Sequence, residues 1–219
     1  MENKQSAQRG IFIVFEGLDR SGKSTQSKML AEYLEKQENA AEVKKINFPD
    51  RTSKTGHLLN EYLTNSDMKL NDEAVHLLFA MNRWEKKEEL IADLENGKDI
   101  VCDRYAFSGV SYSASKGLDF QWCLNADRGL IKPDLVIYIE VDMETIAERA
   151  GFGDERYEKT EFQTKVKAQY ENFKEMYNNS PHWRTVQGGG KSIEQMHTEI
   201  VDVVNDYKTN VLPNISFDE

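Results

Sequence analysis

The chain has 219 residues, with 38 acidic against 28 basic side chains and a formal net charge of −10. That balance excludes a protein whose surface coats nucleic acid or an anionic membrane, because such binding is driven by net positive charge. Any anion bound here needs a local basic pocket. Two cysteines, Cys102 and Cys123, with no Cys/His pair at zinc-ligand spacing, point away from a disulfide framework or a structural metal. The opening MENKQSAQRG lacks the apolar stretch of a secretory signal and no later run could span a bilayer, so cytoplasm or nucleus is the expected location.

In chain order, residues 10–17 (GIFIVFEG) read as a strand and 21–37 (SGKSTQSKMLAEYLEKQ) as an amphipathic helix. A second strand follows at 41–48 (AEVKKINF), then one helix over 72–97 (DEAVHLLFAMNRWEKKEELIADLENG). Strands are expected at 98–103 (KDIVCD), 133–141 (PDLVIYIEV) and 183–188 (WRTVQG), and helices at 155–179 and 191–208. Short apolar strands alternating with helices predict a parallel sheet with helices on both faces. Nothing marks a linker or a repeat, so one domain is expected over 1–219, its ordered core spanning about 10–207. The first nine residues and the tail 210–219 are expected to be mobile. In such a sheet, ligands bind beyond the carboxyl ends of the strands.

Gly17, Gly22, Lys23 and Ser24 fit G-x-x-x-x-G-K-[ST] between a strand and a helix, the context that the phosphate-cradling loop requires. Its backbone N–H groups, with Ser21 and Thr25, are expected to surround phosphate oxygens of a nucleoside triphosphate; Lys23 reaches the outer phosphates and the Ser24 hydroxyl can join a Mg²⁺ shell. Asp103, at the end of the strand KDIVCD, is the second candidate for that shell, and Arg104 follows it directly. Of nine arginines, Arg20, Arg51, Arg83, Arg104, Arg149 and Arg156 lie beside motif features, and the guanidinium fork suits paired phosphate oxygens. If the acceptor is a nucleoside monophosphate, its attacking oxygen is already ionised and no general base is needed. The demand is instead to neutralise roughly six negative charges brought together.

FEGLDRSGKSTQ, FPDRTSKTG, LLFAMNRWE, CDRYAFSGVSY, KPDLVIYIEVD and GFGDERYE, in this order, resemble the thymidylate kinase family over nearly the whole of 10–207. The arginine in the phosphate loop resembles the type found in eukaryotes. The resemblance implies a P-loop nucleoside monophosphate kinase fold with a five-stranded parallel sheet, transfer of the γ-phosphoryl of ATP to dTMP, Mg²⁺ as cofactor, and a homodimer. It implies that Arg51 and Arg104 grip the acceptor phosphate and that Arg20 bridges toward the transferred phosphate as a built-in arginine finger, with Lys23 and Arg104 also catalytic. Asp19 would meet the 3′-hydroxyl, though an acid favouring the helix N-terminus would look the same. Phe79 and Arg83, four residues apart on one helix face, would stack on thymine and donate to its O4; core packing is the other reading of Phe79. Ser108, Gly109 and Tyr112 would line the sugar, and Phe48 would pack against the pocket, a core residue at the end of a strand being the other reading. A lid over about 149–163 would bring Arg149 onto adenine and turn Arg156, Tyr157 and Gln163 toward the substrates, unless its arginines form surface ion pairs. Lys191, in QGGGKS, would lie near adenine or end a plain turn.

Three alternatives share the loop: a deoxynucleoside kinase, whose hydroxyl acceptor needs a base such as Glu16; a kinase of another monophosphate; and a non-catalytic nucleotide-binding module.

Overall fold

The computed structural model describes residues 9–38, 40–148, 156–157 and 159–212. Strands β1 (Phe12–Gly17), β2 (Val43–Asn47), β3 (Asp99–Asp103), β4 (Leu135–Glu140) and β5 (Trp183–Gln187) pair in the order β2-β3-β1-β4-β5, all parallel. β1 is central and every residue in it is buried, as its apolar run, with an acid only near its end, requires. Its side chains alternate between two cores. Ile13 and Phe15 join the larger one with Leu30, Val110, Tyr170 and Ile200, while Phe12 and Val14 pack with Leu90, Leu94 and Ile100 on the opposite face.

The helices are α1 (Lys23–Glu35), α2 (Lys54–Thr64), α3 (Asp72–Trp84), α4 (Lys87–Glu95), α5 (Ala106–Ala114), α6 (Phe120–Ala126), α7 (Met143–Glu148), α8 (Thr160–Met176) and α9 (Ile193–Asp206), continued by a π-helical turn over Tyr207–Val211. The single helix expected over 72–97 is two. It breaks at Glu85 and Lys86, whose side chains are drawn onto the 50–55 loop: Glu85 accepts from Thr55 at 2.7 Å and Lys86 pairs with Asp50 at 3.2 Å. Helices α2, α5, α6 and α7 were not expected. α5 is built from small and aromatic residues, AFSGVSYSA, without a charged stripe, because it is covered on most sides; α6 and α7 are too short for a 3.6-residue period to register.

The amino ends of the central strands are fastened by two aspartates. Asp99 accepts from the Ile11 N–H at 2.9 Å and Asp134 from the Phe12 N–H at 2.7 Å; Lys208 pairs with the first and Arg9 forks onto the second. Arg9 is therefore held, and Val211 and Leu212 pack against the larger core, contrary to the expected mobility at those positions. The rest of both expected mobile ends lies outside the described residues.

Candidate active site

The loop after β1 turns tightly around Gly17, whose φ is +142° and where an added Cβ would stand 2.6 Å from the Ile139 carbonyl. Gly22, at φ +104°, then opens α1. Among the described residues only three non-glycines have positive φ, and two of them are Arg20 (+61°) and Arg104 (+67°). An L-residue in that region costs about 1–2 kcal/mol, so both arginines occupy strained backbone at the site, as functional residues often do.

Lys23 is almost wholly buried, and its ammonium donates to the Leu18 carbonyl at 2.5 Å and approaches the Ser21 hydroxyl at 3.3 Å. Neither partner carries charge. Burial pushes its pKa down to about 8, and the positive Arg104 acts in the same direction against the nearby carboxylates of Asp103, Asp19 and Glu16. The Ser24 hydroxyl donates to Asp103 Oδ2, while Asp103 Oδ1 is buried with no hydrogen-bond partner among the described residues. A buried carboxylate oxygen left unsatisfied is costly. A hydroxyl and an orphaned carboxylate oxygen beside a phosphate loop fit Mg²⁺, which keeps several waters and takes few protein ligands.

A cleft of about 590 Å³ runs over Arg20, Gly22, Lys23, Ser24 and Thr25 toward Lys191, which pairs with Glu199 on α9. A second cavity, of about 160 Å³, is lined by Phe48, Arg51, Phe79, Arg83, Ser108, Gly109, Tyr112 and Tyr157. Asp19 and Arg104 line both. Arg104 Nη2 is ion-paired to Asp19 Oδ1, Nη1 donates to the Gly17 carbonyl at 3.2 Å and the Ser108 hydroxyl at 3.1 Å, and the guanidinium lies 5.2 Å from the Tyr112 ring centre. Gln163 holds Asp19 from the other side: its Nε2 donates to Oδ2 at 2.7 Å and its Oε1 accepts from the Asp19 N–H at 3.1 Å.

In the second cavity Phe79 is half-buried and lines the open space, and Phe48 is buried against Tyr105. Arg51 donates to Asn60 at 3.0 Å. Arg83 is 2% exposed and forks onto Asp127, Nε to Oδ1 at 2.9 Å and Nη2 to Oδ2 at 2.7 Å. Gly109 packs so closely on this guanidinium that a Cβ would meet Nη2 at 2.6 Å. Tyr157 reaches the cavity and donates to the Tyr62 hydroxyl at 3.1 Å.

The sequence model of the family described as Thymidylate kinase matches residues 15–200. The chain is 44% identical over 197 residues to thymidylate kinase of Schizosaccharomyces pombe, covering 90% of this chain and 92% of that one. It is 42% identical over 202 residues to that of Dictyostelium discoideum, covering 92% and 88%. A solved thymidylate kinase from Candida albicans superposes with a TM-score of 0.83 at 41% identity, over 91% of this chain and 93% of that one. The chain belongs to the thymidylate kinase family.

Arg149 and most of the expected lid lie outside the described residues. Arg156 is not turned toward the cavities. It donates to the carbonyls of Tyr62, Asn65 and Met68 and stacks 4.2 Å from the Tyr62 ring, capping the carboxyl end of α2, where orphan carbonyls attract a cation. Three residues were missed in the sequence: Lys116, which lines the cavity, and Asp127 and Asn82, which hold residues that do. Asp127 lies 44 positions from the arginine it grips. Asn82 clamps the loop that carries Arg51, accepting from the Asp50 N–H at 2.7 Å and donating to the Asp50 carbonyl at 3.1 Å. Lys116 lines the cavity, paired to Asp72 at 3.0 Å and 4.9 Å from the Tyr157 ring centre. Only Asn82, beside Arg83 in LLFAMNRWE, could have been suspected from its neighbour.

Proposed function

We propose that transfer takes place where the donor cleft and the acceptor cavity meet, at Asp19 and Arg104, with the γ-phosphoryl of ATP passing to dTMP. Phosphorylation of dTMP at the expense of ATP is the activity of the family to which the chain belongs. What supports the placement is that this acid-base pair lines both cavities. ATP would lie along the loop from Gly17 to Thr25, its base toward Lys191. Lys23 and Arg20 would meet its outer phosphates. Mg²⁺, when bound by Ser24 and Asp103, supplies charge neutralisation between donor oxygens. On the acceptor side Arg51 and Arg104 would hold the dTMP phosphate, Asp19 the 3′-hydroxyl, and Ser108, Tyr112, Tyr157 and Gln163 the sugar side. Phe79 would stack on thymine beside Phe48, and Arg83, held by Asp127 and Gly109, would donate to O4; among the described residues no hydrogen bond engages its Nη1. A donor at that point rejects the amino group of cytosine.

Glu16 weighs against a deoxynucleoside kinase. Its carboxylate is fully buried and accepts from the Tyr105 and Ser108 N–H groups and from the Ser108 and Tyr170 hydroxyls, which leaves no lone pair for a nucleophile's proton.

We also read the chain as a single kinase domain and as a homodimer. Leu77, Met81 and Trp84 form an exposed stripe along α3 beside exposed Leu58 of α2 and Trp122 of α6, an apolar face suited to a second copy. Two free, buried cysteines suit a reducing cytoplasm or nucleus, and among the described residues no helix is long and apolar enough to cross a membrane. The test is ADP release with thymidine and a panel of monophosphates. Turnover with dTMP alone supports the reading; phosphorylation of thymidine, or hydrolysis indifferent to acceptor, overturns it.

A further inference from the structure

Glu16 closes β1 immediately before the phosphate loop, and its side chain has no contact with solvent. A carboxylate in such a place needs hydrogen bonds to replace its water. Oε1 takes the N–H groups of Tyr105 at 2.9 Å and Ser108 at 3.2 Å, the first turn of α5, where a negative charge is favoured. Oε2 takes the hydroxyls of Ser108 and, at 2.8 Å, of Tyr170. Having given its proton to Glu16, the Ser108 hydroxyl offers only lone pairs, and one of them receives Arg104 Nη1 at 3.1 Å. The other arm of Arg104 rests on Asp19, whose second oxygen is taken by Gln163.

Gln163 and Tyr170 are seven residues apart, two turns along the same face of α8. One helix therefore backs both side-chain anchors of Arg104, the Gly17 carbonyl being its third partner: Gln163 through Asp19, and Tyr170 through Glu16 and Ser108. We propose that Tyr170 is a positioning residue for phosphoryl transfer, its hydroxyl fixing the Glu16–Ser108 pair and thereby the direction in which Arg104 presents its free edge. This rests on Arg104 being the acceptor-phosphate ligand. The phenol is held in its donating form, since burial and the adjacent Glu16 carboxylate push its pKa well above the ordinary tyrosine value. Removing the hydroxyl leaves Glu16 Oε2 with Ser108 as its remaining donor. Ser108 then follows the carboxylate, and Arg104 loses a fixed partner. Misplacement of a reacting group by about 1 Å costs on the order of a hundredfold, so partial loosening of one arm is expected to cost about tenfold in kcat.

The experiment is a double-mutant cycle on the intact enzyme, Tyr170→Phe and Arg104→Met alone and together, with single-turnover transfer at saturating ATP and dTMP and thermal melting of each variant. The expected result is about a tenfold fall in the transfer rate for Tyr170→Phe with KM for ATP within twofold, and less than a twofold further effect in the Arg104→Met background. Equal losses in both backgrounds, or wild-type transfer by folded Tyr170→Phe, overturn the proposal alone. Near-normal transfer by Arg104→Met overturns the reading of Arg104 and the proposal with it. Should Tyr170→Phe be unfolded at the assay temperature, Glu16→Gln carries the same expectation, because an amide nitrogen cannot accept from the two hydroxyls.

Discussion

Asp127 grips Arg83 with both carboxylate oxygens, at 2.9 and 2.7 Å, where each partner is more than nine-tenths shielded from water. Removing one member of such a pair leaves a buried charge uncompensated and costs about 3–5 kcal/mol. Arg83→Ala is therefore expected to lower stability by that amount as well as to raise KM for dTMP and narrow its advantage over dCMP. The double variant Arg83→Met with Asp127→Leu separates the two effects. It should regain most of the stability, measured by urea unfolding, while the dTMP preference stays lost. Retained preference would place base reading elsewhere. Gly109→Ala, whose Cβ would stand 2.6 Å from Arg83 Nη2, should erode the same preference.

A second expectation concerns protons. The folded-state pKa of Lys23, about 8, lies below its unfolded value, so between pH 8 and about 10.4 the unfolded chain binds more protons and stability rises with pH. Below pH 8 the penalty is fully present, of order 3 kcal/mol. Lys23→Met should then stabilise the ligand-free protein at pH 7 while abolishing most transfer. Triphosphate binding favours the charged ammonium, so ATP binding at pH 8.5 should take up about three-quarters of a proton. Calorimetry in two buffers of different ionisation enthalpy measures this, and zero uptake contradicts it.

Arg20 stands at φ +61° at the tip of the loop. If it stabilises charge on the transferring group, Arg20→Ala should reduce kcat by about 10²–10⁴ with little change in either KM. Arg20→Lys should recover only part, lacking the planar fork. A single-turnover rate within about threefold of wild type, below about 0.7 kcal/mol, would reduce Arg20 to a surface cation.

Asp103 Oδ1 has no partner among the described residues, so Asp103→Asn should be tolerated by the fold yet raise the Mg²⁺ concentration for half-maximal transfer by about 10–100-fold. Titration of the rate with Mg²⁺ after chelation decides it; an unchanged midpoint would remove Asp103 from the metal's surroundings.

Those parts of the molecule governed by local pattern were legible in the sequence. β1, β3 and β4 are buried on both faces and so read as apolar runs with acids only at or near their ends, and the phosphate loop carries its mechanism in four residues. Phe79 and Arg83 could be placed on one face because helix spacing fixes it. Their supports could not. Asp127 meets Arg83 only through the docking of α6 on α3, and Arg156 spends its charge on backbone carbonyls, which any sequence possesses. α5 escaped because a helix covered on most sides has no polar face to give it a period.

Trp84 gives the acceptor pocket an optical reporter of its own. Its indole N–H donates to the Ala126 carbonyl at 2.9 Å, and the next residue is Asp127, whose carboxylate holds the arginine that lines the cavity. The ring is about one-third exposed and lies beneath the Lys87 ammonium, 5.1 Å from the ring centre, so its emission answers both to water and to a nearby charge. A shift of Arg83 on filling the cavity would act on Asp127, one residue from this carbonyl. Occupancy of the pocket can then be followed by intrinsic fluorescence without a label, with Trp84→Phe as the blank.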